Sequence, residues 1–389
     1  MSSLFGKLWV GFRDQGIGYV GTVFGNELRN PRRPLTIALR RALIAVRAPF
    51  NRGRASEGAW SRDCLQFILD LSAAPITFDF ASYLVAAELE RRRRQLTGLV
   101  VLIVPAADGG LRTEQGSLAL FNDEARWFRV RHIVLPILSL LPSVRGYAIC
   151  ASREQAGDIL TDDPEFLYPS DYRLYQPRQP HKRVAHDLHG AGVPMWPMFR
   201  ATPRACEFVA QFLAERAAGR RTIVITLRSS PHSPQRNSHV EDWLRFASEL
   251  DPRLYLPIFV LDTEAAMAPR VPGLADYVIC EAASWDVEVR MALSEAAWLN
   301  MAQMHGPMEL CWYNERVRYI VFLEVGTAPE NMPAYLAENG HDVGRDFTFA
   351  AAGQHIVWKP DLYENIIEAF TRLAPGIITS ATQPPTAKS

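Results

Sequence analysis

Cysteine is scarce: the chain of 389 residues holds five, Cys64, Cys150, Cys206, Cys280 and Cys311. They are widely spaced and mostly set in apolar runs, which excludes a disulfide frame or a zinc site and predicts buried free thiols in a reducing compartment. No apolar run reaches the roughly 20 residues that a spanning helix needs. The N-terminus lacks the basic, apolar and small-residue order of a cleaved signal, so a cytoplasmic protein is expected. Excess charge of one sign is absent too, with 42 basic residues against 42 acidic ones. That balance gives no global attraction to nucleic acid or an anionic surface. There is no Asp-x-Asp and no clustered His/Asp set at ligand spacing, so neither metal nor cofactor is expected.

What is present is an ordinary globular composition, 48% hydrophobic and 22% charged, in a chain long enough for two domains. Residues 1–60 are locally basic, and within them "PLTIALRRALIAVRAPF" sets Leu35, Ile37, Leu39, Leu43, Ile44 and Val46 among arginines. This amphipathic helix reads either as a peripheral contact with the inner membrane face or as a helix laid across the first domain. From Asp63 strand and helix alternate: "CLQFILDL", "GLVVLIVP" and "RGYAICAS" as strands, "TFDFASYLVAAELERRRRQ" and "NDEARWFRVRHIVLPILSLL" as helices, the latter capped by Asn122. A proline-rich passage from Pro164 to Phe199 reads as irregular crossover structure. A second alternation follows, with strands "RTIVITLR", "LYLPIFVLD", "DYVICEA", "WLNMA", "RYIVFLEV" and "QHIVWKP". Apolar runs of this length between amphipathic helices indicate parallel strands buried on both faces. The expected fold class is therefore α/β, with two tandem Rossmann-like doubly wound domains, 61–200 and 201–374, facing a cleft, and a disordered tail at 375–389.

In doubly wound sheets ligands sit beyond the carboxyl ends of the strands. The second domain is rich in polar residues there. Arg228 ends its first strand and suits a phosphate through paired hydrogen bonds, with Arg236 and Asn237 in the same loop. Each arginine could equally be a solvated or salt-bridged side chain. Asp262, Glu264 and Glu281 follow later strands and could hold a ribose or base, or simply cap loops. His305, Gly306, Pro307, Met308 and Glu309 open a helix whose first amides would point at an anion. In the first domain Asp79 follows a strand, as a general base or as an early helix residue favoured by the dipole. His186 and His189 are alternative bases, whereas His305 is better placed to touch phosphate.

A strand ending in "ITLR" before a polar loop and helix resembles the nucleotide-sugar half of two-domain, GT-B-type glycosyltransferases of the fucosyltransferase-like group. "HGPMEL" is similar to the Gly-Pro-Met helix start of heptosyltransferase-like enzymes, and "QHIVWKPDLYENIIEAF" resembles bacterial glycan-assembly proteins. The similarity lies in patches between Arg221 and Leu373, and no second arginine follows Arg228 as it does in the fucosyltransferase pattern. It implies a donor diphosphate between Arg228 and the Gly306 turn, without an obligatory metal, and a glycan or glycosylated protein as acceptor in polysaccharide biosynthesis.

Three readings share this architecture: a glycosyltransferase, a nucleotide-sugar epimerase using Glu281 with Glu309, and a non-catalytic glycan- or partner-binding module. Polar residues gathered at strand ends favour an enzyme over the module. If the basic helix contacts membrane, the whole chain should bind anionic vesicles in a salt-sensitive way, and a chain beginning near Ser61 should not. Equal binding by both in a vesicle sedimentation assay would assign the helix to the fold.

Overall fold

The computed structural model describes residues 63–106, 110–112, 122–161, 163–178, 181–231, 233–263 and 272–373. The basic N-terminal region, Glu264 and the C-terminal tail lie outside the described residues. Contacts divide the chain into two compact units. Of the described residues, the first takes those within 63–74, 94–112 and 145–178, and the second those within 75–93, 122–144 and 181–373.

The first unit contains a four-stranded sheet in the order β3-β2-β1-β4, from β1 (Cys64–Asp70), β2 (Gly98–Val104), β3 (Val144–Ile149) and β4 (Leu167–Tyr168). Every residue of β1 and β2 is buried, as the unbroken apolar runs predict for strands covered on both faces. Asp70 closes β1 in a fully partnered buried cluster. Its carboxylate accepts from Arg153 Nη2 at 2.7 Å, the Tyr172 hydroxyl at 2.6 Å and the Ser72 amide at 2.9 Å.

The second unit carries six parallel strands in the order β10-β9-β8-β5-β6-β7. They are β5 (Arg221–Leu227), β6 (Tyr255–Leu261), β7 (Val278–Ile279), β8 (Leu299–Gln303), β9 (Tyr319–Phe322) and β10 (Gln354–Val357). All six were legible as apolar runs. Counted from β5, this is the doubly wound order that reverses between its first and fourth strands. The side-chain period of two divides the sheet's apolar residues between two cores. Ile223, Ile225 and Leu227 pack with Trp243, Phe246 and Phe370, whereas Val224 packs on the other face with Val209, Ala292 and Leu293.

Two helices from the earlier part of the sequence belong to this second unit. The first, α1 (Phe80–Arg93), is buried over most of its length. Its arginine run turns inward: Arg91 Nε and Arg92 Nε each reach the buried Glu88 carboxylate at 2.7 Å, and Arg92 Nη1 donates to the carbonyls of Pro194 and Met195. The other begins at α2 (Asp123–Arg129), where Asn122 Oδ1 accepts from the Ala125 amide at 2.8 Å, as expected of an N-cap. The proline-rich passage is less irregular than predicted, since it contains β4 and the helix Arg183–Gly190. Of the cysteines, Cys206 is exposed, against expectation, and the other four are buried.

The loop after β5 is closed by reciprocal bonds, Arg228 N–H to Ser238 Oγ and Ser238 N–H to the Arg228 carbonyl. The helix that follows, Val240–Glu249, is anchored by fully buried Asp361, whose carboxylate accepts from Trp243 Nε1 at 2.6 Å and the His239 amide at 3.2 Å. Asp361→Ala strands two donors at about 1–3 kcal/mol each, so a loss of about 3 kcal/mol is expected. Urea unfolding should show a lower midpoint with an unchanged slope, and Asp361→Asn should recover part of the loss. Unaltered stability in Asp361→Ala would show that the anchor contributes nothing.

Candidate functional site

Strands β5 and β8 are hydrogen-bonded neighbours, with Ile223 opposite Leu299 and Thr226 opposite Ala302. The strand order reverses between them, so their carboxyl ends mark the switch point at which this fold leaves room for a ligand. Arg228 follows one strand and His305 the other.

Arg228 and Arg236 gather there with little water to solvate them, and Arg290, which donates through Nη2 to the Leu261 carbonyl at the end of β6 at 3.3 Å, acts with them on His305. Arg228 and Arg290 are buried, and burial together with the charge of Arg236 pushes Arg228 down to about 10. Burial likewise lowers Arg236 and Arg290. Each guanidinium stays charged at neutral pH while bearing a desolvation cost that an incoming anion would offset. Arg236 Nε and Arg290 Nη1 are buried without a hydrogen-bond partner. Arg290 lies in the helix Val287–Ala296, donating through Nε to the Ala283 carbonyl at 2.8 Å. Sequence reading passed over it because an arginine inside a helical pattern looks like one of its solvated positions. Only the otherwise apolar run "VRMAL" around it signals burial.

Arg228 also organises its own loop. Its Nη1 donates to the Ser233 carbonyl at 3.0 Å and to Asn237 Oδ1, and the latter accepts the Ser230 amide at 2.9 Å. Arg236 Nη2 donates to the Met304 carbonyl at 3.3 Å, tying the loop to the end of β8. Asp262 Oδ2 accepts from the Ser229 amide at 2.7 Å, so it serves as a loop cap. Glu281 is exposed at the start of the helix Glu281–Trp285.

Two expectations at the second strand end need correction. His305 Nδ1 lies 2.5 Å from the Gln303 carbonyl and must therefore carry the proton. Burial, joined by the charges of Arg290, Arg228 and Arg236, holds the imidazole at about 3. It is neutral, its buried Nε2 is an unpartnered acceptor, and it suits a hydroxyl rather than an ionised phosphate oxygen. The second correction concerns the turn at Gly306 and Pro307. The amides of Met308, Glu309 and Leu310 are not free, because they donate to the carbonyls of His305, Gly306 and Pro307. Gly306 is explained by packing: a Cβ there would lie 3.1 Å from the Phe78 ring.

Glu309 belongs to a different cluster, which the structure brings together around Lys182. The ammonium lies 2.5 Å from Asp79 Oδ1 and in closer contact with Glu309 Oε1. The Ser82 hydroxyl donates to Glu309 Oε2 at 2.5 Å and sits 3.0 Å from the Tyr313 hydroxyl. Burial drives the Glu309 carboxyl up to about 7 against the opposing pull of Lys182, with Asp79 adding to the rise. Asp79 is partly exposed. The charges of Asp79 and Glu330 also act on Arg236, which joins the two clusters electrostatically. Lys182 escaped the sequence reading because it lies in the proline-rich passage, remote in sequence from both carboxylates.

The alternative bases occupy an aromatic cluster. His186 lies tilted against the stacked pair Phe347 and Phe349, over Gly340, and burial with the nearby Arg183 charge lowers it to about 4. His189 Nδ1 is 3.2 Å from the Val193 carbonyl, and its ring meets the edge of Phe349. Among the described residues no group of three or more His, Cys, Asp or Glu is placed to hold a metal ion. Among the same residues no helix is long and apolar enough to cross a membrane.

No protein-family model matches this sequence, and no curated protein does. Solved structures with a similar course of chain include a glycosyl transferase family 9 protein from Veillonella parvula DSM 2008, at 10% identity and a TM-score of 0.44 over 81% of this chain and 90% of that one. The ADP-heptose lps heptosyltransferase II of E. coli aligns at 11% identity and a TM-score of 0.46, over 79% of this chain and 98% of its own. A putative UDP-N-acetylglucosamine 2-epimerase from Listeria monocytogenes aligns at 12% identity and 0.34, over 81% and 88%.

The buried neutral histidines set an acid limit on the fold. His305 and His341 are both held at about 3 by burial, below the roughly 6.5 of an unfolded chain. The unfolded state therefore binds more protons as pH falls below 6.5, and stability is lost progressively down to the folded values. At pH 5 each should cost roughly 2 kcal/mol relative to pH 7. His341 Nδ1 has no partner and the ring lies against Trp312 and Phe347, so His341→Phe should remove about that much of the pH dependence in urea titrations at the two pH values. The same pH dependence in the variant would contradict this.

Proposed function

We propose that the protein is a glycosyltransferase that moves a sugar from a nucleotide-sugar donor to a hydroxyl of a glycan or glycosylated protein, without a metal. The observation that carries the reading is the under-solvated pair Arg228 and Arg236 at the β5/β8 switch point, joined by Arg290, which acts on the same His305 from the end of β6, with Arg236 Nε and Arg290 Nη1 buried and unpartnered. A diphosphate is a fitting occupant, because its charge offsets desolvation already borne and its oxygens accept from guanidinium groups in pairs. Fixed cations also stabilise the charge that develops on a departing diphosphate, a role otherwise given to a metal. His305 Nε2 supplies an acceptor for a hydroxyl of donor or acceptor sugar.

In the transfer step the acceptor oxygen attacks the anomeric carbon and the bond from that carbon to the phosphate oxygen breaks. Its electron pair leaves with the nucleoside diphosphate, and the acceptor hydroxyl's proton passes to Asp79. The epimerase reading is less well supported, because Glu309 is engaged by Lys182 and Ser82 while Glu281 stands exposed. The reaction would occur on the cytoplasmic side, with the basic N-terminal region at the inner membrane face.

A thermal-shift screen of nucleoside diphosphates and their sugars should identify the donor, since saturation to 100 times Kd adds about 2.7 kcal/mol. Calorimetry should then show Arg228→Ala losing roughly ten- to hundredfold in affinity for the diphosphate, as expected for charge-assisted bonds of about 1.5–3 kcal/mol. Affinity for the bare nucleoside should hardly change, Arg228→Lys should recover only part, and turnover should persist in EDTA. Equal losses for both ligands would reduce Arg228 to a loop tie; no binding of any member of the panel would remove the transferase reading.

A further inference from the structure

The proposed base does not stand free. Lys182 Nζ contacts two carboxylates, Asp79 and Glu309, and one ammonium divided between two anions holds each less firmly than it would hold either alone. We propose that Glu309 is a positioning residue that controls Asp79 through Lys182: while Glu309 is ionised it draws the ammonium away and leaves Asp79 able to accept a proton, and once Glu309 is neutral the ammonium is committed to Asp79. This inference rests on the reading of Asp79 as the base of a transfer reaction.

The surroundings give Glu309 two self-consistent states. When it is ionised, Tyr313 donates to Ser82 and Ser82 donates to Glu309 Oε2, a chain that ends on an anion. When it is protonated, the same chain reverses, with the carboxyl donating to Ser82 and Ser82 to Tyr313. Beyond the proton that Glu309 takes up from solvent, the two differ only by rotation of the hydroxyls, so no heavy atom needs to move. Tyr313 remains a phenol because burial, reinforced by the Glu309 charge, raises its titration well above the ordinary tyrosine range. The charges of Asp79 and Glu309 outweigh burial and raise Lys182 well above its ordinary value, and Asp79 remains its counter-ion when Glu309 is neutral.

Other groups act on this set from neighbouring elements. Tyr335 lies within the fields of Lys182 and Asp79, and burial raises its titration. His341 faces Lys182 but is neutral, and Arg236 feels Asp79. None of them changes charge near neutrality. Glu309, raised to about 7 by burial, does. The sign follows: below that pH the ammonium belongs to Asp79 and proton transfer is slow, above it the ammonium is shared and transfer is faster.

The test uses the whole chain labelled with carbon-13 at aspartate and glutamate carboxyls, with Asp79→Asn and Glu309→Gln assigning the signals. The Asp79 carboxyl should show a second inflection where Glu309 titrates, and Glu309→Gln should erase it. A single-step Asp79 titration in the unaltered protein overturns the proposal. This measurement needs no substrate, so coupling without turnover of any nucleotide sugar supports the control while removing the transferase reading. With the donor found by the thermal-shift screen, kcat/KM should rise through an apparent pKa near 7. Glu309→Gln should abolish that rise and hold the rate about tenfold low above it, as expected for a base left with its counter-ion. Ser82→Ala, which removes a donor to the ionised carboxylate without changing charge, should shift the rise upward by about half a unit or more. A rise near pH 7 that survives in Glu309→Gln overturns the proposal even though transfer itself is established.

Discussion

The reversal of strand order between β5 and β8 is the constraint from which the site follows. To one side of β5 lies β6, and to the other side of β8 lies β9. Connections leave this pair in opposite directions, and Arg236 ties the loop after β5 to the Met304 carbonyl at the end of β8. The loop after β5 and the turn after β8 consequently flank the same opening. That geometry explains how residues separated by tens of positions, Arg228 and His305, enter one electrostatic environment. The arginines there carry a desolvation cost that lowers all three, against the partial relief given by Asp262 and Glu330.

Two neighbouring sets with opposed electrostatic character result. Cations dominate beside β5 and β8, and two carboxylates share a cation around Lys182. Arg236 lies between them, responding to Glu330 and Asp79. An occupant that brings negative charge to the first set and a hydroxyl toward the second would satisfy both, and the partly exposed Asp79 is the member of the second set able to meet it.

Much of the second unit was legible in the sequence because parallel strands buried on both faces have to be nearly continuous in apolar residues. "RTIVITLR" and "RYIVFLEV" could be little else. Legibility ended where partners came from far away. The "HGPMEL" turn looked like an amide cradle because nothing local showed that the three carbonyls before it would use those amides. Glu309 looked like part of the donor site because its true partners, Lys182 and Ser82, lie 127 and 227 positions earlier. The imidazole of His305 was misassigned for a similar reason, since its tautomer depends on a carbonyl orientation that only the fold determines.

The arginine run at the end of α1 has a consequence for how the protein meets dissolved ions. Arg91 and Arg92, themselves only partly exposed, give their charge to the buried Glu88 carboxylate and to main-chain carbonyls. Added salt weakens attraction between exposed charges over about a Debye length, but it reaches such enclosed pairs far less. A stretch that reads as a polycationic patch therefore presents only part of its nominal charge to the solution. High ionic strength should leave the docking of this helix largely intact.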